Sequence, residues 1–218
     1  MIRFLINRLR SVIKRYSKEE KRLATSIKMI VGSKPFNLKP YQIAVQHTSV
    51  ARSVKEGFKE SNERLEYLGD AVLGTVVAEY LFKKFPFKDE GFLTELRSRI
   101  VSRDSLNNLA RTIGVPQIVQ FDKKRKTPNS HKSLYGNALE ALIGAIYIDR
   151  GFTFTSNFIQ RKLLQPHYDL EEIINTTKNH KSKLIEWSQK NTKTPSFDHV
   201  ETIDKGHFKE FVIQVLID

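Results

Sequence analysis

Apolar residues return every three to four positions along most of this chain, the spacing of one face of an α-helix. Ile2, Leu5, Ile6, Leu9, Val12, Ile13 and Tyr16 follow it, with Arg3, Arg8, Arg10, Lys14 and Arg15 elsewhere on the wheel. Such a basic amphipathic helix either packs its apolar side on the body of the protein or lies on an anionic membrane surface. Ser17-Lys18-Glu19-Glu20 reads as a capping box opening a second helix, and Gly32 is placed to end it. Lys39-Pro40 opens a short helix reaching about His47. Asn62 is an N-cap candidate for a long helix that runs to about Phe85 and stops at Pro86. Its apolar residues, Leu65, Leu68, Val72, Leu73, Val76, Val77, Tyr80 and Leu81, face several directions, as in a helix buried by neighbours on most sides. Further helices are predicted at Phe92 to Val101, Asp104 to Ile113, Leu134 to Ile148 and Phe152 to about Leu164. No strand is predicted before residue 170.

The pattern changes after Glu172. Asn175 to Asn179 is polar and reads as a linker, and Lys181 to Lys190 as a short helix. Ser196 to Ile203 and Phe208 to Ile217 are rich in β-formers and are separated by Asp204-Lys205-Gly206, which predicts a hairpin. Two strands and one helix make a poor independent core, so the tail reads as an interrupted domain.

Composition narrows the chemistry. The chain has 218 residues and no cysteine, which excludes disulfides and thiolate zinc sites and fits a reducing compartment. No apolar run approaches the roughly 20 residues of a membrane span. The N-terminus has no small-residue cleavage site after an apolar core, so no secretory signal is read. Lys plus Arg number 37 against 24 Asp plus Glu, a net charge of +13. Such an excess directs a protein toward polyanions, nucleic acid before membrane. The densest basic stretch is the loop Lys123-Lys124-Arg125-Lys126 through Lys132, suited to phosphate contact and equally readable as a solvated charge run.

Against this basic background, acids fall in a pattern. Glu63, Glu66 and Asp70 stand at i, i+3 and i+7 and stack along one stripe of a helix. The flanks of Glu66 and Asp70 (Leu65, Tyr67, Leu68, Ala71, Val72) look core-like, so the two carboxylates are expected to lose water and repel each other. Glu63 alone is also accounted for as a first-turn acid favoured by the helix dipole. Asn137 and Glu140 share a face of the Leu134 helix, and if the two long helices pack side by side, Glu66, Asp70, Asn137 and Glu140 converge. Oxygen donors of this kind suit a hard cation such as Mg²⁺, which can activate water toward a phosphodiester and stabilise the charged transition state. Glu90, just before a helix, reads by default as a solvated loop acid. The six histidines show no paired metal-binding spacing, and no glycine-rich phosphate loop is present.

The stretch Asn62-Glu-Arg-Leu-Glu-Tyr-Leu-Gly-Asp-Ala-Val-Leu73 resembles the signature of the ribonuclease III family nearly residue for residue. Ala44 to Ser49, Asp89-Glu90-Gly91 followed by Leu96-Arg97, and Asn137 to Ala145 resemble three more of its segments, in order and spacing. The resemblance covers about residues 22–165. It implies an all-helical endonuclease domain, acting as a homodimer that cleaves both strands of double-stranded RNA with Mg²⁺. By position, Glu66, Asp70 and Glu140 match the family's metal-binding acids, Asp70 and Glu140 being the catalytic pair. Glu63 matches a residue of RNA contact and Glu90 one of the dimeric valley. Asn137 stands where most members carry Asp, which lowers the charge offered to a metal.

Asn179 to Asp218 resembles the first half of a double-stranded RNA-binding domain, in which Glu186 and His207 occupy minor-groove positions. The third strand and closing helix of that domain are absent from the sequence. The expected plan is therefore a mainly α protein: a basic extension at 1–21, the catalytic domain at 22–170, a linker at 171–178 and a truncated α+β RNA-binding domain at 179–218. The expected activity is Mg²⁺-dependent cutting of ribosomal precursor and other structured RNAs in the cytoplasm, with no membrane partner. The alternative is a non-catalytic relative that binds RNA or associates with ribosomes.

Overall fold

The structure, a computed structural model, describes residues 16–55, 58–122, 133–175, 180–204 and 209–218. The predicted helix at 2–16, apart from Tyr16, lies outside them, as do the basic loop with Lys123, Lys124, Arg125 and Lys126, and the hairpin turn with His207. The chain divides into two compact units, one ending at Leu170 and one running from Glu171 to Asp218.

The first unit is built around two long helices, α3 (Glu63–Lys84) and α6 (Leu134–Arg150), which make the most extensive contact in the molecule. Around them lie α1 (Lys18–Val31), α2 (Lys39–Ala44), α4 (Glu90–Ile100), α5 (Arg103–Thr112) and α7 (Phe152–Phe158), which continues into a π-helical turn at Ile159–Leu164. A short helix α8 (Gln165–His167) follows. The core is apolar throughout: Val76, Val77, Leu139, Ala141, Ile143, Ala145, Ile146 and Ile159 are fully buried.

Local chemistry sets the ends of these helices. Ser17 and Glu20 form the reciprocal capping box of α1, and Gly32 closes it in the left-handed conformation at φ 82°. Asp89 caps α4 by accepting the Phe92 N–H at 2.8 Å. Glu90 is thereby drawn into the first turn of α4, where its carboxylate takes a hydrogen bond from the Thr94 hydroxyl. Asn62 departs from its expected role. Its backbone is already helical and its side chain makes no cap. The Asn62 N–H instead bonds the Gln46 carbonyl at 2.9 Å, pinning the start of α3 to the segment after α2.

Two short strands, β1 (Arg52–Lys55) and β2 (Phe58–Glu60), pair antiparallel ahead of α3. The sequence reading expected no strand here. With three and four residues they fall below the length at which period-two alternation can be recognised.

At the far end of α6, Asp149 is buried and its carboxylate accepts the Phe36 N–H at 2.9 Å, the Asn37 N–H at 2.7 Å and the Tyr41 hydroxyl at 3.0 Å. Arg150 lies between the Phe36 and Phe154 rings, 3.9 and 4.1 Å from their centroids. These contacts fasten the segment before α2 to α6.

The second unit holds α9 (Leu170–Asn175, which begins at the boundary), α10 (His180–Lys190), β3 (Pro195–Asp204) and β4 (Lys209–Ile217). The two strands form one antiparallel pair, Pro195 opposite Ile217 and Asp204 opposite Lys209. The helix–strand–strand order and the hairpin follow the expected plan. Among the described residues of this hairpin Phe211, Ile213 and Leu216 are exposed.

Candidate active site

The site is set by how closely α3 and α6 approach. A Cβ on Gly69 would stand 1.7 Å from the Glu140 carbonyl oxygen, and one on Gly144 would stand 2.3 Å from the Leu65 carbonyl oxygen. Only glycine permits main chain to meet main chain in this way. Gly69 sits one residue before Asp70 and three after Glu66, and Gly144 sits four after Glu140. The crossing therefore brings the two acid-bearing stripes side by side.

The first turn of α6 is held from outside. The Ser133 side chain makes no cap. The Asn107 side-chain carbonyl, buried on α5, accepts the Gly136 N–H at 2.9 Å and takes its place. Asn137 follows directly.

The convergence expected from the sequence is present. Glu63, Glu66, Asp70, Asn137 and Glu140 line one hollow of about 420 Å³, together with His47, Thr48, Asn62 and Tyr67. Among the described residues no Lys or Arg lines this hollow. A second hollow of about 290 Å³ shares Glu66, Asn137 and Glu140 as its wall and is completed by Val101, Arg103, Leu106 and Gly136.

Electrostatics follow from the crowding. Burial, reinforced by the charges of Asp70 and Glu66 and opposed by Arg103, pushes Glu140 up to about 7. Glu66 is also raised, first by burial, with Glu63 and Asp70 adding to the effect. A hydrogen bond from Asn137 and the charge of Arg103 act against that rise. Among the described residues no three His, Asp or Glu groups close into a cation cage by themselves. The fourth oxygen donor is the Asn137 amide, and like-charged carboxylates hold apart. The set Glu66, Asp70, Asn137 and Glu140 suits a hard divalent cation: its donors are oxygen atoms only, three carboxylates and one amide, and among the described residues no Lys or Arg lines the hollow.

Other candidates fall elsewhere. Glu63 lines the hollow and accepts the Ser61 hydroxyl at 2.9 Å. Glu90 lines neither hollow. Glu186 is exposed on α10, in the second unit. Tyr67 and Ala71, expected among core-like flanks, are exposed, Tyr67 at 81%. Asp70, expected to lose its water, is exposed as well, and Tyr67 lines the hollow.

Several contributors were not signalled by the acid pattern. His47 reaches the hollow because the 45–47 segment is tied to Gln120 by the His47 N–H to Gln120 carbonyl bond at 3.0 Å and by the Gln120 N–H to Val45 carbonyl bond at 2.8 Å. Its Nδ1 accepts the Ser49 N–H at 3.2 Å. Arg103 follows the Ser102 cap of α5. Gly69 and Gly144 were open to detection: each interrupts a strongly apolar helix, where glycine is costly unless something must come close.

A glycine-locked helix pair presenting a cluster of oxygen donors in a mainly helical frame defines a helical domain with a carboxylate-lined candidate catalytic cleft. The comparisons narrow this. Residues 39–167 match the Ribonuclease-III-like family, and the chain belongs to it. Ribonuclease 3 of Bacteroides fragilis is 42% identical over 190 residues, covering 87% of this chain and 65% of that protein. Ribonuclease 3 of Flavobacterium psychrophilum is 38% identical over 203 residues, covering 93% of this chain and 81% of that protein. The chain thus spans just under two thirds of the length of the Bacteroides fragilis relative. Among solved structures, a nuclease domain of ribonuclease III from Campylobacter jejuni, described for flexibility in a region involved in dimer formation, superposes with a TM-score of 0.56 at 31% identity. It covers 63% of this chain and 94% of its own. A second structure of that nuclease domain gives a TM-score of 0.55 at 29% identity, covering 71% and 97%.

Proposed function

We propose that this protein is a Mg²⁺-dependent endoribonuclease that cuts double-stranded RNA as a homodimer, acting in the cytoplasm on ribosomal precursor and other structured RNAs. The observation that carries the reading is the meeting of Glu66, Asp70, Asn137 and Glu140 on one hollow that no Lys or Arg lines among the described residues. Glu66, Asp70 and Glu140, with the Asn137 amide oxygen, would hold the cation. When bound, it supplies Lewis acidity toward water and the phosphodiester and neutralises charge on the phosphate. The chain's own residues prepare the rest. Asn137 orients Glu66 through its hydrogen bond. Glu140, whose carboxyl is raised to about 7 by burial and by Asp70 and Glu66, would give up its proton when the cation binds, which ties cation binding to pH. Homodimer formation is supported by the kinship with the Campylobacter jejuni nuclease domain, whose structure concerns a region of dimer formation. The positive net charge and the resemblance of the second unit to an RNA-binding domain support a duplex RNA substrate.

The test is a Mg²⁺ titration of duplex RNA cutting by the native chain, Asn137→Asp and Glu140→Gln. Asn137→Asp restores a charge to the donor set and lowers the Mg²⁺ concentration needed. Glu140→Gln abolishes cutting. One observation favours a second reading, a non-catalytic RNA-binding relative: the uncharged Asn137 where the family resemblance expects Asp. Duplex RNA bound but left intact by the native chain at saturating Mg²⁺ selects that reading.

A further inference from the structure

The acid-lined hollow that suits a cation is hostile to the phosphate that must reach it. Four carboxylates line the first hollow, and among the described residues no Lys or Arg does. The adjoining second hollow differs. Arg103 is the one cationic side chain on its wall among the described residues, and it shares that hollow with Glu66, Asn137 and Glu140, which also line the first. The floor beside it is apolar, from Val101 and Leu106.

Arg103 is fixed at its root and open at its tip. It is the first residue of α5, and the Ser102 hydroxyl before it caps the helix by accepting the Ser105 N–H at 3.3 Å. The residue is exposed, and among the described residues it forms no ion pair within 4 Å. The amide at Asn137 leaves the shared wall with one charge fewer than a carboxylate there would give. A guanidinium is planar and always charged, and its paired donors match two oxygens of a phosphate.

We propose that the second hollow is a phosphate subsite in which Arg103 grips a backbone phosphate of the RNA strand beside the acid cluster. This rests on the nuclease reading given above. The bland alternative is that Arg103 only offsets the charges of Glu66 and Glu140. The two roles separate in salt dependence. A lost phosphate contact lowers the slope of log affinity against log salt by about 0.9 on duplex and weakens binding whatever the sequence. A lost intramolecular charge offset leaves that slope alone.

The experiment uses the full chain. Duplex RNA affinity is measured in Glu140→Gln, which binds without cutting, with and without Arg103→Gln, across a series of KCl concentrations at fixed Mg²⁺. Single-turnover cutting by Arg103→Gln and Arg103→Lys is measured alongside in the otherwise native chain. Circular dichroism melting checks that each variant folds. The expected result is a roughly tenfold weaker affinity for the Gln variant with a salt slope lower by about one, and the native slope for Lys. Half-saturation of cutting shifts to higher protein concentration in the Gln variant. An unchanged slope with Arg103→Gln overturns the subsite while leaving the nuclease reading intact. A native chain that neither binds nor cuts duplex RNA overturns both. A variant that melts early is replaced by Arg103→Met, judged by the same slope.

Discussion

At the scale of the residue, Glu140 concentrates the cost of the site. Its carboxyl, raised to about 7 by burial and by Asp70 and Glu66, binds a proton more tightly in the folded chain than in the unfolded one. The stability it contributes is full below the unfolded value near 4.5 and is lost as pH rises through 7. Without added cation, the native chain should lose melting temperature relative to Glu140→Gln between pH 5 and pH 8. The loss corresponds to about 1 kcal/mol after allowance for partial solvent screening. Mg²⁺ at pH 8 should reverse the difference, and at pH 5 protons should displace the ion. Thermal denaturation at four pH values, with EDTA and with MgCl₂, measures each of these. Asn137 softens the same problem differently: its amide supplies an oxygen and a hydrogen bond to Glu66 without a fifth charge in the hollow.

At the scale of the element, α3 and α6 meet through glycine. Gly144→Ala drives a methyl group into the Leu65 carbonyl, at 2.3 Å, and the helices must part. Urea denaturation should show a loss of about 3 kcal/mol or more. Gly74→Ala on the partner helix, α3, is the control. A Cβ there meets nothing within 4 Å, so the change should stabilise the protein by about 0.5–1 kcal/mol. Asn107→Ala strips the first turn of α6 of its borrowed cap and should cost about 1–2 kcal/mol, with Asn107→Asp, which keeps an acceptor oxygen, retaining most of the stability. These elements also explain what could be read in advance. The helices of the first unit, the capping box at Ser17 and the stop at Gly32 were legible because their signals are local. The stripe of acids was legible because helical spacing is a fixed rule. The caps on α3 and α6 were not, because both borrow partners from distant residues: the Gln46 carbonyl receives the Asn62 N–H, and Asn107 receives the Gly136 N–H. The β1–β2 pair was hidden by its brevity.

At the scale of the whole molecule, the two units are unequal. The first buries a continuous apolar core, whereas the described part of the second rests on two short helices and a two-stranded sheet with Phe211, Ile213 and Leu216 exposed. An isolated two-stranded sheet is marginal in water. Amide hydrogen exchange should therefore be fast across Pro195–Asp204 and Lys209–Ile217 and slowest in Leu139–Ile146, and mass spectrometry of peptic fragments resolves the two. Duplex RNA should slow exchange in Glu63–Asp70 and Asn137–Glu140 if the cleft receives it. Charge acts at this scale too, since +13 draws the chain toward any polyanion while the cleft itself is acidic. Arg103 lies beside that acidic cleft, on the hollow that shares Glu66, Asn137 and Glu140 with it.

The direct seating of one backbone on another at Gly69 and Gly144 makes the gap between the acid stripes a fixed ruler. Its length is written in peptide units, so trimming aliphatic bulk elsewhere in the interior leaves it unaltered. Variants with smaller core side chains should melt earlier yet keep their cation affinity, uncoupling the durability of the fold from the calibration of its chemistry.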